Sequence, residues 1–284
     1  STRKSSGKTI ISIGLSGLAN NLGYDIQTFK KGPDFIDPSW LTLASRRPCY
    51  NLDFNTMGSE EIKRMYREKS HGMDFSLIEG TKGLFDGIST DGADSNAELA
   101  SLLKSNVLLV IDCEGITRGI APLLEGYKSF GKKLKLDRVI LNNVSTSRHE
   151  SKLVSAISRY TDFRVLGVIP SIKNFIVERH LGLVPTFQHP QKKKVLSSLV
   201  SIIRNNTDYK KLFPLRPKSQ KKVIKPRVTK RKNPLVVGVA SDAAFGFYYP
   251  DDIEEIERQG CEVKKIDLIR EARLPTINGL FIGG

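Results

Sequence analysis

Cysteine is scarce in this 284-residue chain. Cys49, Cys113 and Cys261 are odd in number, far apart and in no CxxC pair. That leaves neither a disulfide framework nor a zinc site and fits a reducing cytoplasm. Long apolar runs are missing too. The most concentrated, Val107 to Ile111, falls far short of the about 20 residues a membrane-spanning helix requires, so the chain reads as soluble, with no membrane partner. Ser1-Thr2-Arg3-Lys4 carries no apolar signal segment, and the lack of an initiator Met suggests trimming. No G-x-G-x-x-G follows an apolar run, which disfavours a dinucleotide fold. Acids are nearly absent from one stretch: between Lys192 and Lys232, Asp208 stands alone beside 15 Lys and Arg. That stretch holds almost all of the net charge of +15 and leaves the rest of the chain close to neutral. Nucleic-acid binding, the usual inference from such charge, is therefore disfavoured. Arg216 to Lys232 has few large apolar residues and two prolines, and it reads as an extended, self-repelling linker.

What is present is an α/β rhythm. Apolar runs at Asp25 to Phe29, Phe75 to Ile78, Val107 to Ile111, Arg138 to Leu141 and Val165 to Ile169 read as strands. Helical periodicity lies at Ile10 to Leu22, Asn96 to Leu103, Ile120 to Phe130 and Glu150 to Tyr160. Alternation of this kind implies a parallel sheet covered on both faces. The rhythm restarts beyond the basic stretch with Leu235 to Ala240, a helix from Ile253 to Arg258 capped by Asp251 and Asp252, then Val263 to Ile266 and Leu280 to Ile282. This second unit stops at Gly283-Gly284 without room to close a sheet, so the chain reads as a fragment of a longer protein. The expected division is a first domain over 1–190, a basic linker over 191–233 and the start of a second domain over 234–284.

Gly7-Lys8-Thr9 opens the first helix. Triphosphate binding needs such a start: amides and helix dipole face the anion, Lys8 neutralises phosphate, and the Thr9 hydroxyl can join a Mg²⁺ shell. A P-loop would carry Gly where Thr2 stands, so the match is incomplete, yet Asp112 ends a later strand as a nucleotide fold expects. Acids then gather at strand ends: Asp34 and Asp37 in a loop stiffened by Gly32, Pro33 and Pro38, Glu79 after Phe75 to Ile78, and Asp86 in Gly83-Leu84-Phe85-Asp86-Gly87. The C-terminal edge of a parallel sheet is where such folds bind ligands. Carboxylates beside phosphates make sense if Mg²⁺ bridges them to ATP; the alternative is that they cap helices and turns.

In order, GKT, FKKGPDFIDPSW, RPCYNLDFNTM, IEGTKGLFDG, ILNNV, SRHE and ERHLGLVP resemble the cobyrinic acid a,c-diamide synthase family over Ser1 to Pro185. VGVASDAAFGFYYPDD and INGLFIGG resemble the start of that family's glutaminase domain. The resemblance implies a dethiobiotin-synthetase-like ATP domain followed by a class I glutaminase-like α/β domain. It implies a cytoplasmic ligase that uses ATP and Mg²⁺ to activate tetrapyrrole carboxylates as acyl phosphates and amidates them with ammonia from glutamine; dimerisation is left open. Carried onto this chain, Gly7, Lys8 and Thr9 bind phosphate, Asp34, Asp37, Glu79 and Asp86 serve catalysis, Thr9 and Glu79 hold the metal, and Asn142 meets adenine.

Some residues depart from the pattern. Lys82 stands where cobyrinate enzymes more often have an apolar residue, and NLDFNTM replaces NLD followed by Trp and Met; both changes resemble relatives in sulfur-oxidising bacteria associated with sirohaem amidation. Lys82 is thus the candidate for sensing the macrocycle. Cys113 and Cys261 lack a nucleophile-elbow context and read as structural, and His149 and His180 read as substrate-edge or structural. A carboxylase of dethiobiotin-synthetase type is disfavoured by the segment from Leu235 onward. A partition-type ATPase switch is disfavoured because its signature Lys would stand where this chain has Arg3.

Overall fold

Apolar residues recurring through Ile11, Leu15, Leu18 and Ala19 bury one side of α1 (Lys8–Asn21), and every residue of β1 (Ile26–Lys31) is buried beside it. The computed structural model describes residues 1–2, 5–171, 178–179, 182–213 and 232–284. From β1 the chain continues through α2 (Ile36–Ser45), β2 (Tyr50–Leu52), α3 (Ser59–Ser70), β3 (Phe75–Glu79), α4 (Asn96–Leu102), β4 (Val107–Asp112), α5 (Ile120–Phe130), β5 (Leu136–Val144), α6 (Ser147–Tyr160) and β6 (Arg164–Pro170). A two-residue ladder, β7 (Glu178–Arg179) and β8 (Gly182–Leu183), leads to α7 (Lys192–Asn206) and α8 (Tyr209–Leu212). The remainder is β9 (Val236–Ala240), α9 (Pro250–Arg258), β10 (Glu262–Ile266) and β11 (Gly279–Phe281).

All three larger sheets are parallel, in the orders β2-β1-β3, β4-β5-β6 and β10-β9-β11. The expected parallel sheet of the first unit is thus present as two. Its edges β3 and β4 flank a cavity of about 550 Å³, lined by Phe75 to Glu79 on one side and Val107, Leu108 and Val110 on the other. Glu79 belongs to the end of β3 rather than following it. Among the described residues no helix is long and apolar enough to cross a membrane.

The linker boundary needs correction. Residues 192–206, expected to fall in the basic linker over 191–233, form α7 and bury Leu199, Val200 and Ile203 in the cores around α1. The close approach depends on small residues: a Cβ on Gly14 would lie 2.4 Å from Ile203, and one on Gly17 2.7 Å from Val200. Lys192 to Lys194 occupy only the first turn and mask an apolar stripe of helical spacing. Ile203→Ala is therefore expected to cost about 2–5 kcal/mol in a denaturant titration, whereas a tether residue would change stability by about 0.5 kcal/mol or less. Residues 214–231 of the proposed linker, and His180, lie outside the described residues.

Two further differences have local causes. α2 begins inside the presumed loop because Pro38 falls in the first helical turn, where its missing amide costs no hydrogen bond. α9 starts at Pro250, so Asp251 and Asp252 sit in its first turn and complement the dipole instead of capping.

Candidate functional site

Gly7 takes the left-handed conformation, φ +88°, at the entry to α1, and a Cβ there would lie 2.1 Å from Asn142 Nδ2. Only glycine fits that turn. Asn142, near the end of β5, donates from Nδ2 to the Ser6 carbonyl at 3.1 Å. Its amide therefore braces the loop at the helix N-terminus. Lys8 occupies the first turn of α1. Burial lowers its ammonium below the ordinary lysine value; Glu79 works against that shift and Lys30 with it.

One helical position along, Thr9 Oγ1 lies 2.5 Å from Glu79 Oε1 and 3.1 Å from Asp37 Oδ2. Lys30, near the end of β1, is 3% exposed, and its ammonium meets Asp37 at 2.5 Å, Glu79 at 3.0 Å and Asp34 at 3.5 Å. Burial alone would lower Lys30, but Glu79, Asp37 and Asp34 together outweigh it and hold the ammonium above the ordinary value. Glu79 is pushed up to about 7 by burial, with Lys30 pulling down and Asp37 pushing up. Its Oε2 is buried without a hydrogen-bond partner. Burial, then Asp37, likewise raises Asp34.

Asp34, Asp37 and Glu79 are thus brought together, and the structure adds two residues that sequence reasoning missed. Lys30 is their counter-ion. Asn51 Nδ2 donates to the carbonyls of Gly32 and Asp34, both at 2.8 Å, and ties the acidic loop to β2. Asp34 Oδ1 accepts from the amides of Ile36 and Asp37 and so caps α2 as well as facing Lys30. Asp86 is exposed and accepts from the Gly83 amide at 2.9 Å, a turn-capping contact, and its charge acts to raise Lys8. Lys82 is exposed at φ +46° and is held at its carbonyl by Ser1 Oγ. Lys31, the next residue after Lys30, is 7% exposed and has no ion pair among the described residues; burial lowers it, while Asp94 and Asp53 oppose and Lys82 adds to the shift.

Other sequence candidates take structural places. Asp112, buried at the end of β4, accepts from Asn143 Nδ2 and the Glu114 amide. His149 lies 2.6 Å from the Ile116 carbonyl through Nε2, and its Nδ1 accepts from the Ser145 amide. Cys49 and Cys113 are buried; desolvation raises both thiols, Cys113 to about 12, so neither offers a thiolate at neutral pH.

Mg²⁺ fits this donor set. Glu79 presents an orphaned carboxylate oxygen, Thr9 a hydroxyl, and Asp37 a second carboxylate. Mg²⁺ is held by one or two carboxylates and completes its shell with phosphate and water.

Residues 1–184 match the family described as CbiA, the CobQ/CobB/MinD/ParA nucleotide binding domain. Cobyrinate a,c-diamide synthase of Magnetococcus marinus is 40% identical over all of this chain and 62% of its own length. The protein of that name from Archaeoglobus fulgidus is 35% identical over 98% of this chain and 61% of its own. For Caldanaerobacter subterraneus the figures are 34%, 100% and 63%. The chain thus spans about three fifths of the length of these relatives.

Proposed function

The chain belongs to the CbiA nucleotide-binding family, and from that premise we propose that it is the ATP-using part of a ligase that amidates acetate side chains of a tetrapyrrole, with cobyrinate as substrate and glutamine as amide donor. The observation that carries this reading is the cluster of Thr9, Asp37 and Glu79 around Lys30, which meets the phosphate loop at Thr9. A carboxylate is a poor acyl donor until one of its oxygens becomes a leaving group. Its oxygen attacks the γ-phosphorus, the bond to ADP breaks, and an acyl phosphate forms. Ammonia then attacks the carbonyl carbon, phosphate departs with the bonding pair, and the nitrogen loses a proton.

The protein's share is positioning and charge. Amides at the start of α1 and the Lys8 ammonium hold the β- and γ-phosphates. Thr9 and Glu79, with Asp37, would hold Mg²⁺, which neutralises phosphate charge when bound. Lys30 draws the carboxylates together and opposes the effect of burial on Glu79 and Asp34, and Asn51 and the Asp34 cap fix the loop that carries two of them. Asn142 is assigned to support of the phosphate loop. Lys31 and Lys82 are the cations at the substrate edge, suited to a substrate with several carboxylates. Residues 234–284 are read as the start of a glutaminase-like unit.

The test is to supply the full-length protein with ATP, Mg²⁺, glutamine and either cobyrinate or sirohaem and to identify products by mass. Cobyrinate is expected to gain two amides with one ADP released per amide. Release of ADP with neither macrocycle amidated would remove the substrate class. Lys82→Met is expected to change the ratio of the two kcat/KM values by about 10-fold, the lower end of what a hydrogen bond to a charged group contributes; an unchanged ratio would exclude Lys82 as the discriminator.

A further inference from the structure

The acidic loop is gripped from two sides. Beneath it are Asn51 and the Asp34 cap. Above it, Phe35, which stands between Asp34 and Asp37, stacks on Phe247 with ring centroids 5.4 Å apart and planes 19° apart, and on Tyr249 at 4.6 Å and 30°. Both partner rings belong to the second unit, in the segment between β9 and α9. Phe247 is braced by Phe187 at 5.8 Å, and a Cβ on Gly246 would lie 2.4 Å from the Phe187 ring. Phe187 is itself tied to α2, because the adjoining Val184 carbonyl accepts from Trp40 Nε1 at 2.9 Å and the Thr186 amide donates to Ser39 Oγ. At the rim, Tyr50 and Lys69 both reach the Glu254 carboxylate of α9, and the Lys69 ammonium lies 4.2 Å from the centre of the Tyr50 ring. The contacts of the second unit therefore fall on β2, α3, the segment around Phe187 and the acidic loop itself.

We propose that the second unit controls metal binding at the ATP site through Phe35: with its ring held by Phe247 and Tyr249, Asp34 and Asp37 face Lys30 and Glu79, and when the rings part the carboxylates lose that placement. The inference rests on the reading of this cluster as a Mg²⁺-nucleotide site. It gives Phe35 a positioning role, since the contacts of its ring are with Phe247 and Tyr249. Its chemical sense follows from the acyl phosphate, which water destroys unless ammonia is at hand. An ATP site assembled only when the amide-donor unit is docked phosphorylates substrate only when the second step can follow.

The experiment uses the full-length protein and a fluorescent ATP analogue, with Mg²⁺ titrated at fixed nucleotide and a parallel nucleotide titration in EDTA. Phe35→Leu keeps an apolar side chain and removes the ring; Phe247→Ala removes its partner; Phe35→Tyr keeps the stack. Phe35→Leu and Phe247→Ala are expected to raise the half-saturating Mg²⁺ concentration about 5- to 20-fold, the range of coupling between linked sites. Affinity in EDTA and melting temperature should stay at the wild-type values, and Phe35→Tyr should behave as wild type. If Phe35→Leu does not fold, Tyr249→Leu, whose side chain lies outside the first unit, decides in the same way. Folded variants with unchanged Mg²⁺ dependence overturn the coupling while leaving the site intact. A wild type whose nucleotide binding ignores Mg²⁺ overturns the site reading itself, and the coupling with it.

Discussion

Lys8→Ala is expected to lower kcat for ATP-dependent amidation by about 10²- to 10³-fold, the scale seen when one donor aimed at developing charge is removed, while the protein keeps its fold. The side chain is only half-buried, in the first turn of α1, and burial already holds its ammonium below the ordinary lysine value. Removing it loses the cost of burying a cation together with its attraction to Glu79, so the melting temperature should change little. Nucleotide affinity should fall less than kcat, because the amides at the helix N-terminus and the dipole behind them remain. The lost interaction is strongest when charge spreads over the transferring phosphoryl group. Steady-state ADP release and amide product, measured beside far-ultraviolet circular dichroism, make the check. Wild-type turnover in the variant would remove Lys8 from the phosphate site and the Gly7-Lys8-Thr9 assignment with it.

Much of the first unit could be read from the chain because its strands are short apolar runs and its helices amphipathic. The helix at Ile120 to Phe130 matches α5 end to end, and β3, β4 and β6 differ from their expected ranges by a residue at one or both ends. α3 was missed because its stripe is short: Ile62 is its one fully buried residue, with Met65 and Tyr66 partly buried beside it among charged neighbours. α7 was hidden by the reverse effect, a real stripe behind a run of lysines. The acids of the site were legible as a group because Gly and Pro punctuate the loops that carry them. Their counter-ion was not. Lysine is so commonly exposed that Lys30 and Lys31 look alike in sequence, and only the register of β1 beside β3, which pairs Lys30 with Glu79, sets one of them among the carboxylates. Phe35 was unreadable as a contact for a related reason, since its partners lie more than 200 residues away in the chain.

Lys30→Met separates the electrostatics of the cluster from its chemistry. The substitution keeps an unbranched stem and deletes the buried charge that meets Asp34, Asp37 and Glu79. Breaking a buried ion pair from one side costs about 3–5 kcal/mol because the remaining charge is left uncompensated. Glu79 is pushed up to about 7 even with Lys30 in place, and Lys30 is a force holding it down, so its loss moves the carboxyl higher still. A carboxyl whose folded-state pKa exceeds its unfolded value of 4.5 binds its proton more tightly when folded. The stability it contributes is complete below that unfolded value and is lost as pH rises through the folded one. Lys30→Met should therefore lose more stability at about pH 8 than at about pH 5.5 in denaturant titrations, since protonation of Glu79 relieves the repulsion at the lower pH. Combining it with Glu79→Gln, which fixes that residue in a neutral form, should recover part of the stability and flatten the difference between the two pH values. Amidation should remain absent from the double variant, because the metal-holding carboxylate is gone along with the cation. A stability loss in Lys30→Met that is the same at both pH values would show that Lys30 does not compensate Glu79, and the charge balance drawn for the site would have to be abandoned.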